Sequence, residues 1–576
     1  VTEKVTLKEK NLVKEVEEKF ALARDKKDEA KLHSSFDKWE NYYNGTSAEL
    51  EKRDAKGLSA IMPAWAQAGV DYVLAKEMAV IFGQKPYWGV RGRRKKYENA
   101  AKLQQELLML RVDQPKMLLN IVRWIQHKLI YGSAIRKPMW DRQEKCFKCE
   151  YINPKNFYPS PDPTGGYTIY EIPWAMQRSL RTREYIEEMG KPWKGSRKST
   201  YKNTVELLKK PGGTHIAEHT EESAGSTWTT KEKENIYEIL EYWDRINKRV
   251  VTIGERKIVL RDTDFPYEKK KDLPFMVMID WPHPKSFWGT GRIESVELMI
   301  RELAHIKNQR FDNVNLILNP PMKYLKGVDI DIKSLPVKPN AMIGMDDLDA
   351  VRQLWDKGVP FVTEHVYREA AEIEKEIQNR LGLHEYWMGR APEQRETATG
   401  IARLQAAGNT IFQAHNLLSI WLGMQELAAW ISAIDQQFLK ESIAAPFVYD
   451  ADARARGEYF DISKSDIAGE FIFEFKPSPI NPEVIADVER GQFVQAIQTL
   501  LSMQAEVKVQ ELGKLLLERF NIPQSDIDKI LPETGELPGV PPGGATGAQR
   551  QAPRELSQAI AATMGEGMGV TPPGPK

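Results

Sequence analysis

Residues 397–438 constrain this chain more than any other stretch. Only three side chains in it are charged: Arg403, Glu426 and Asp435. The pattern reads as one long helix, with Gly400, Gly408 and Gly423 as places to bend. Straight, it would reach roughly 60 Å at 1.5 Å per residue. A helix that is apolar on nearly all sides must be buried on nearly all sides. Two arrangements satisfy this, the central helix of a large monomer or a helix packed between identical subunits. Gln413, His415, Asn416, Gln425 and Glu426 lie within its most apolar part, 411–434, and argue against a membrane span.

The segment before it reads "GLHEYWMGRAPEQRETATG" at 382–400. A connection between two helices normally takes about 2–8 residues. This one is longer, is broken by Gly389 and Pro392, and is charged at Glu385, Arg390, Glu393, Arg395 and Glu396. A helix over 361–381 precedes it, apolar at Val362, Val366, Ala370, Ile373, Ile377 and Leu381. Glu369, Glu372 and Glu376 lie three and four residues apart and share one helix face. The five glutamates of 361–381 against Arg368, Lys375 and Arg380 leave this helix at −2.

The chain has 576 residues, too many for a single core, so three to five modules are expected at roughly 100–200 residues each. Its 82 basic and 81 acidic residues nearly cancel. A protein that grips duplex DNA tightly and without sequence preference carries a basic excess, because phosphate neutralisation drives its affinity. Any handling of nucleic acid here must avoid a strong hold. The two cysteines, Cys146 and Cys149, cannot build a disulfide framework. No charged–apolar–small leader pattern opens the sequence. The expectation is a soluble protein made in a reducing compartment, with no membrane contact.

Along the chain, residues 1–45 read as a solvated amphipathic helix with Leu12, Val16, Phe20 and Ala23 at helical spacing. Further helices are expected at about 59–82, 97–131 and 182–189. "SAIRKPMWD", "CFKCEYINP" and "YTIYEIPWAM" read as strands, and 190–235 as an exposed polar insertion. Strands resume at "IYEILEYWD", "KRVVTIGERKIVLRD" and "PFMVMIDW". A helix over 290–318 shows Ile293, Val296, Ile300 and Leu303 on one face, continued by Phe311, Val314 and Leu318. It stops at "NPP". Residues 322–360 form a compact mixed unit. "FVYD" and "GEFIFEFKP" are late strands, and helices return at about 482–519 and 524–530. From Pro532 onward the 45 residues hold 8 Pro and 9 Gly, a composition that builds no core.

Three motifs suggest chemistry without completing it. "HIAEH" at 215–219 has the His-x-x-Glu-His spacing of some zinc peptidases in His215, Glu218 and His219, but sits in loop composition where no helix aligns a metal pair. "CFKC" is half a zinc site without its other half. "GKPWKGSR" fails the phosphate-loop pattern at Gly195-Ser196-Arg197. No catalytic constellation, cofactor or metal is expected. The alternative from another functional class is a metal-dependent hydrolase using His215, Glu218 and His219.

An ordered series of segments resembles the portal proteins of tailed double-stranded DNA bacteriophages. "FDKWENYYNG" and "GVDYVLAKEMAVIFGQKPYW" are similar to the family's early helices. "YGSAIRKPMWD" followed by "YINPKNFYPSPDP" is similar to its wing strands. "LPFMVMIDWPHPKSFWGTGRIESVELMIRELAHIKNQRFDNVNLILNPP" resembles the run from wing into first stem helix. "TATGIARLQAAGNTI" resembles the start of the long helix after the tunnel loop, and "DIAGEFIFEFKPS" the strand that closes the wing. Singly these are weak; their order over about 36–531 carries the likeness.

The resemblance implies an α+β, predominantly α fold with wing, stem, clip and crown regions around a central channel. On this sequence it divides the chain into N-terminal helices and wing (1–292), first stem helix (293–318), clip (319–360) and second stem helix (361–381). The tunnel loop (382–397), long wing helix (398–440), wing strands (441–480), crown (481–531) and Pro/Gly-rich tail (532–576) follow. It implies a homo-oligomer, a dodecamer at the unique capsid vertex of the virion, made in the host cytoplasm. Implied partners are the terminase packaging motor, a head-completion adaptor or tail protein, the major capsid and scaffolding proteins, and the double-stranded DNA that passes through. Glu385, Arg390, Glu393, Arg395 and Glu396 would then ring the DNA, and Glu369, Glu372 and Glu376 would face the bore. Asp346, Asp347 and Asp349, in a clip whose charges balance, would dock the partners.

Overall fold

The computed structural model describes residues 7–141, 144–161, 167–192, 199–213, 234–318, 322–324, 351–353, 363–382, 412–449, 457 and 459–478. All fall in one compact unit, Val1–Pro482. Residues 1–45 make two helices rather than one: α1 (Leu7–Glu29) and α2 (Leu32–Tyr43). Lys31 turns the chain between them with a left-handed φ of 53°. The short α3 (Ala48–Asp54) is capped by Ser47, whose Oγ accepts from Glu49 N. Then α4 (Trp65–Phe82) starts later than 59. The backbone before it is claimed elsewhere, since Ser59 N donates to Asp312 Oδ1 (2.8 Å) and Ile61 N to Asn308 Oδ1 (2.7 Å).

β1 (Trp88–Gly92) and a 3₁₀ turn (Lys95–Tyr97) lead into α5 (Glu98–Val112) and α6 (Pro115–Tyr131). The single helix expected over 97–131 is therefore split. Pro115 lacks an N–H and fits a first helical turn, and Gln114 before it is extended, as that position requires.

β2 (Ser133–Asp141) pairs with β3 (Cys146–Ile152), as the sequence pattern suggested. β4 (Phe157–Pro159) and β5 (Trp174–Thr182) follow. Only the end of "YTIYEIPWAM" is strand, because residues before Pro173 close a turn through Ile172 N to Thr168 O. Beyond α7 (Arg183–Gly190) and α8 (Thr204–Leu208) come β6 (Ile236–Asp244), β7 (Arg249–Gly254), β8 (Ile258–Asp264) and β9 (Met276–Ile279). Strands β4 to β8 form an antiparallel sheet in sequence order, and β9 joins the other edge of β2.

This five-stranded sheet is buried on both faces, because side chains alternate along each strand. Leu240 and Tyr242 of β6 meet Leu12, Val16, Phe20 and Ala23 of α1. The α1 stripe is thus core, not solvated. On the other face, Tyr237 and Ile239 meet Ile186, Tyr201 and Leu207. Residues 199–213 are therefore not an exposed insertion. Lys202 N donates to Leu260 O (2.7 Å) and Asn203 Nδ2 to Val259 O (3.0 Å), which seals this flap on the sheet edge. Residues 214–233, with "HIAEH", lie outside the described residues.

The second half is helical. α9 (Arg292–Leu318) is followed by the ladder of β10 (Met322–Tyr324) with β11 (Val351–Gln353), and α10 (Thr363–Leu381) returns along α9. α11 (Phe412–Phe438) is long and apolar enough to cross a membrane by length and composition. It is nevertheless a core helix, with Met424, Trp430, Ile431 and Ile434 in the main hydrophobic cluster alongside α4, α6, α9 and α10. A π-helical turn at Ile420–Gln425 widens it where Gly423 faces Met278; a Cβ there would lie 2.1 Å from Met278 Cε. Last come β12 (Ile443–Pro446), β13 (Tyr459–Ile462) and β14 (Phe471–Phe475). The strand expected at "FVYD" thus falls just before it. β14 pairs antiparallel with β1, Trp88 opposite Phe475, so the last described strand closes on the first.

Candidate channel helices and their buried anchor

The segment between β9 and α9 wraps around the end of α6. Gly132 there has φ 78°, and a Cβ on it would stand 2.0 Å from Gly289 O and 2.8 Å from Gly291 N. Three backbone stretches meet at van der Waals distance, which only glycine permits. Asp280 N donates to Gly132 O (3.0 Å), and Gly289 N to Ser133 Oγ (2.9 Å). "WGTGR" is therefore a backbone crossing point from which α9 starts.

Charge locks the same junction. Lys128 of α6 is fully buried and donates to Glu77 Oε1 (2.7 Å), Glu77 Oε2 (2.8 Å) and Ser419 Oγ (2.7 Å). Its Nζ also lies 3.6 Å from Asp280 Oδ1. Asp280 faces Arg292 Nε at 3.0 Å and His415 Nδ1 at 3.1 Å. Two carboxylates and two cations so join α4, α6, the β9 end, the first residue of α9, and α11. Burial pushes the Glu77 carboxyl up, and Asp280 nearby adds to this against the pull of Lys128. Burial also opposes charge on Asp280, but Arg292, the His415 hydrogen bond and Lys128 outweigh it and hold that carboxyl well below the usual carboxylate range. A second buried pair, Arg111 with Asp435 at 3.2 Å, anchors α5 to α11, where burial raises the Asp435 carboxyl against the pull of Arg111.

On α10, Ala370, Ile373, Ile377 and Leu381 are buried, four of the six apolar positions read from the sequence; Val362 lies outside the described residues. Glu369, Glu372 and Glu376 are exposed along one flank. Glu374, nearer the core, pairs with Lys307 of α9 at 2.7 Å, and Arg310 stacks 4.6 Å over the Tyr367 ring. Glu385, Arg390, Glu393, Arg395 and Glu396 lie outside the described residues, as do Asp346, Asp347 and Asp349. The structure thus places three of the eleven candidate residues, all on α10. Cys149 is buried and Cys146 half-buried, both as free thiols; burial pushes Cys149 up to about 12. Among the described residues no group of three His, Cys, Asp or Glu side chains could hold a metal ion.

Sequence reasoning missed the anchor. Its signal was present: Glu77 in "VLAKEMAVIF", Lys128 in "WIQHKLIY" and Asp280 in "MVMIDW" are charges on core-facing positions of apolar runs. Such charges are retained only when paired.

A mixed body of helices and strands, with the α9–α10 helix pair starting from a charge-locked root, defines the class: an α+β protein. The family model described as Phage SU10 portal protein matches residues 141–507, more than half of the chain, and the chain belongs to that family. It is a phage portal protein, a component of the virion at the capsid vertex and part of the head–tail connector. The family is structural rather than enzymatic, and the match lends no support to the metal-hydrolase alternative. A comparison with curated proteins finds no match.

Proposed function

We propose that copies of this chain form a closed ring, twelve in the virion, whose bore carries double-stranded DNA during packaging and ejection. In this reading α9 and α10 are the stem and 319–360 the clip. The clip docks the terminase motor and later the adaptor or tail protein through Asp346, Asp347 and Asp349. Loop 382–397 is a flexible collar around DNA, with Arg390 and Arg395 touching phosphates briefly while Glu385, Glu393 and Glu396 prevent a firm hold. Major capsid and scaffolding proteins would surround the ring during assembly.

The carrying observation is the α10 flank. Glu369, Glu372 and Glu376 stand exposed beside a buried apolar face, with no described cation paired to them. Duplex DNA carries about one charge per 1.7 Å, so an acidic wall repels it and lets it slide. Exposed apolar side chains on α9 (Leu298, Leu318) and α11 (Leu417, Trp421) supply surface that a neighbouring copy would cover. The test is the triple variant Glu369→Lys/Glu372→Lys/Glu376→Lys in a packaging reaction. Rings should persist while DNA stalls in the bore and filled heads fall sharply. Normal filling would remove these carboxylates from the channel wall.

A further inference from the structure

The chain is nearly neutral, yet five of the six residues 91–96, "RGRRKK", are basic. They occupy the turn from β1 into α5. Arg91, Arg93, Arg94, Lys95 and Lys96 are all exposed. Arg91 and Arg93 meet only loose, solvent-exposed carboxylates, Glu474 at 3.4 Å and Glu470 at 3.7 Å. Among the described residues no carboxylate pairs with Arg94, Lys95 or Lys96. Exposed Lys476 stands beside Gly89 on the adjoining strand.

Two features separate this knuckle from an ordinary solvated charge run. First, it is held rigid. Arg93 N donates to Glu470 O (2.8 Å), Tyr97 N to Arg94 O (2.9 Å), and a Cβ on Gly92 would strike Tyr97 C at 2.8 Å. Second, Arg94, Lys95 and Lys96 stand at the N-terminal end of the 15-residue α5, where the helix dipole disfavours cations. Within the chain the run gains only two exposed ion pairs and the contact of Lys96 with the Tyr97 ring, 4.8 Å away, against the opposing helix dipole, which leaves most of its charge open to a partner.

We infer that the exposed Arg91–Lys96 knuckle binds the phosphate backbone of duplex DNA, as a site separate from the α10 carboxylates. Phosphate contacts need cations alone and carry no sequence information. An acidic protein partner would need apolar surface beside the charges for a defined dock, and exposed Ile472 is the single large apolar side chain exposed on the paired strands β1 and β14. With so few contacts the hold is weak and strongly salt-dependent, consistent with the chain's neutral balance.

The test separates this site from any channel. A relaxed, covalently closed DNA circle cannot thread a closed ring, so it reports outside binding only. The full chain should bind such circles at low salt. Arg94→Gln/Lys95→Gln/Lys96→Gln, at exposed positions that pair with no described carboxylate, should keep its fold and oligomeric state by circular dichroism and light scattering. It should lower the slope of log affinity against log salt by about 2–3 and weaken binding roughly tenfold or more at about 0.1 M salt. Lys95→Arg/Lys96→Arg should bind as the parent does. Parent protein that ignores circles, or a neutralised variant that binds them equally, overturns the assignment. So does displacement by polyglutamate at as low a charge concentration as by competing duplex. Each of these results leaves the portal reading standing, since that reading rests on the bore.

Discussion

Replacing Lys128 with Met is the sharpest perturbation of the anchor. The substitution keeps most of the side-chain volume but removes three hydrogen bonds of 2.7–2.8 Å and the one ammonium that touches Glu77. Two carboxylates, Glu77 and Asp280, would then share the single guanidinium of Arg292 in a site closed to water. Stranding one partner of a buried pair costs about 3–5 kcal/mol. Glu77 can escape part of this by taking a proton, which its burial already favours. Lys128→Met/Glu77→Gln removes both charges and leaves Asp280 with Arg292, so it should be more stable than the single variant by about 1–3 kcal/mol. Urea unfolding followed by tryptophan fluorescence at fixed protein concentration measures both, since bound copies would otherwise shift the midpoint. A single variant that loses under about 1 kcal/mol, or a double variant no better than the single, would refute the view that this network is a paired and costly anchor.

Three further outcomes are expected. Asp280 is held in its ionised form, so its contribution is complete above about pH 4 and drains away as pH falls below that value; Asp280→Asn should flatten the acid limb of a stability-versus-pH curve. Gly132→Ala combines a left-handed φ with a backbone clash at Gly289 O and should cost about 3 kcal/mol or more, read as loss of soluble protein or a lowered urea midpoint. Exchanging residues 385–396 for a short Gly/Ser linker should leave rings and procapsids intact while packaging, or retention of packaged DNA, fails; particles that fill and hold a full genome would reduce this loop to a connector.

Period and composition made many of the described elements legible. α10 and α11 announced themselves by spacing and by lack of charge, and β2, β3 and β6 by alternation and turn residues. What escaped reading has identifiable causes. The break between α5 and α6 is a single proline inside a run whose apolar pattern continues across it. The 199–213 flap buries only Tyr201 and Leu207 amid polar residues, so composition favoured exposure while tertiary contact decided otherwise. α1 appeared solvated because a helix period does not say what the apolar stripe meets. The anchor is the clearest case. Glu77, Lys128, Asp280 and Arg292 lie far apart in sequence, and only the fold brings opposite charges to 2.7–3.6 Å. Of the candidate site, the α10 carboxylates follow from helix spacing alone, whereas their relation to a bore depends on other copies of the chain.

End-on electron microscopy of the purified protein shows whether its copies close around a channel. Closed rings with a central hole are expected, and averaged maps in which α10 lines that hole with Glu369, Glu372 and Glu376 turned toward it. Particles that remain single chains across protein concentrations, or rings whose α10 faces outward, would contradict it.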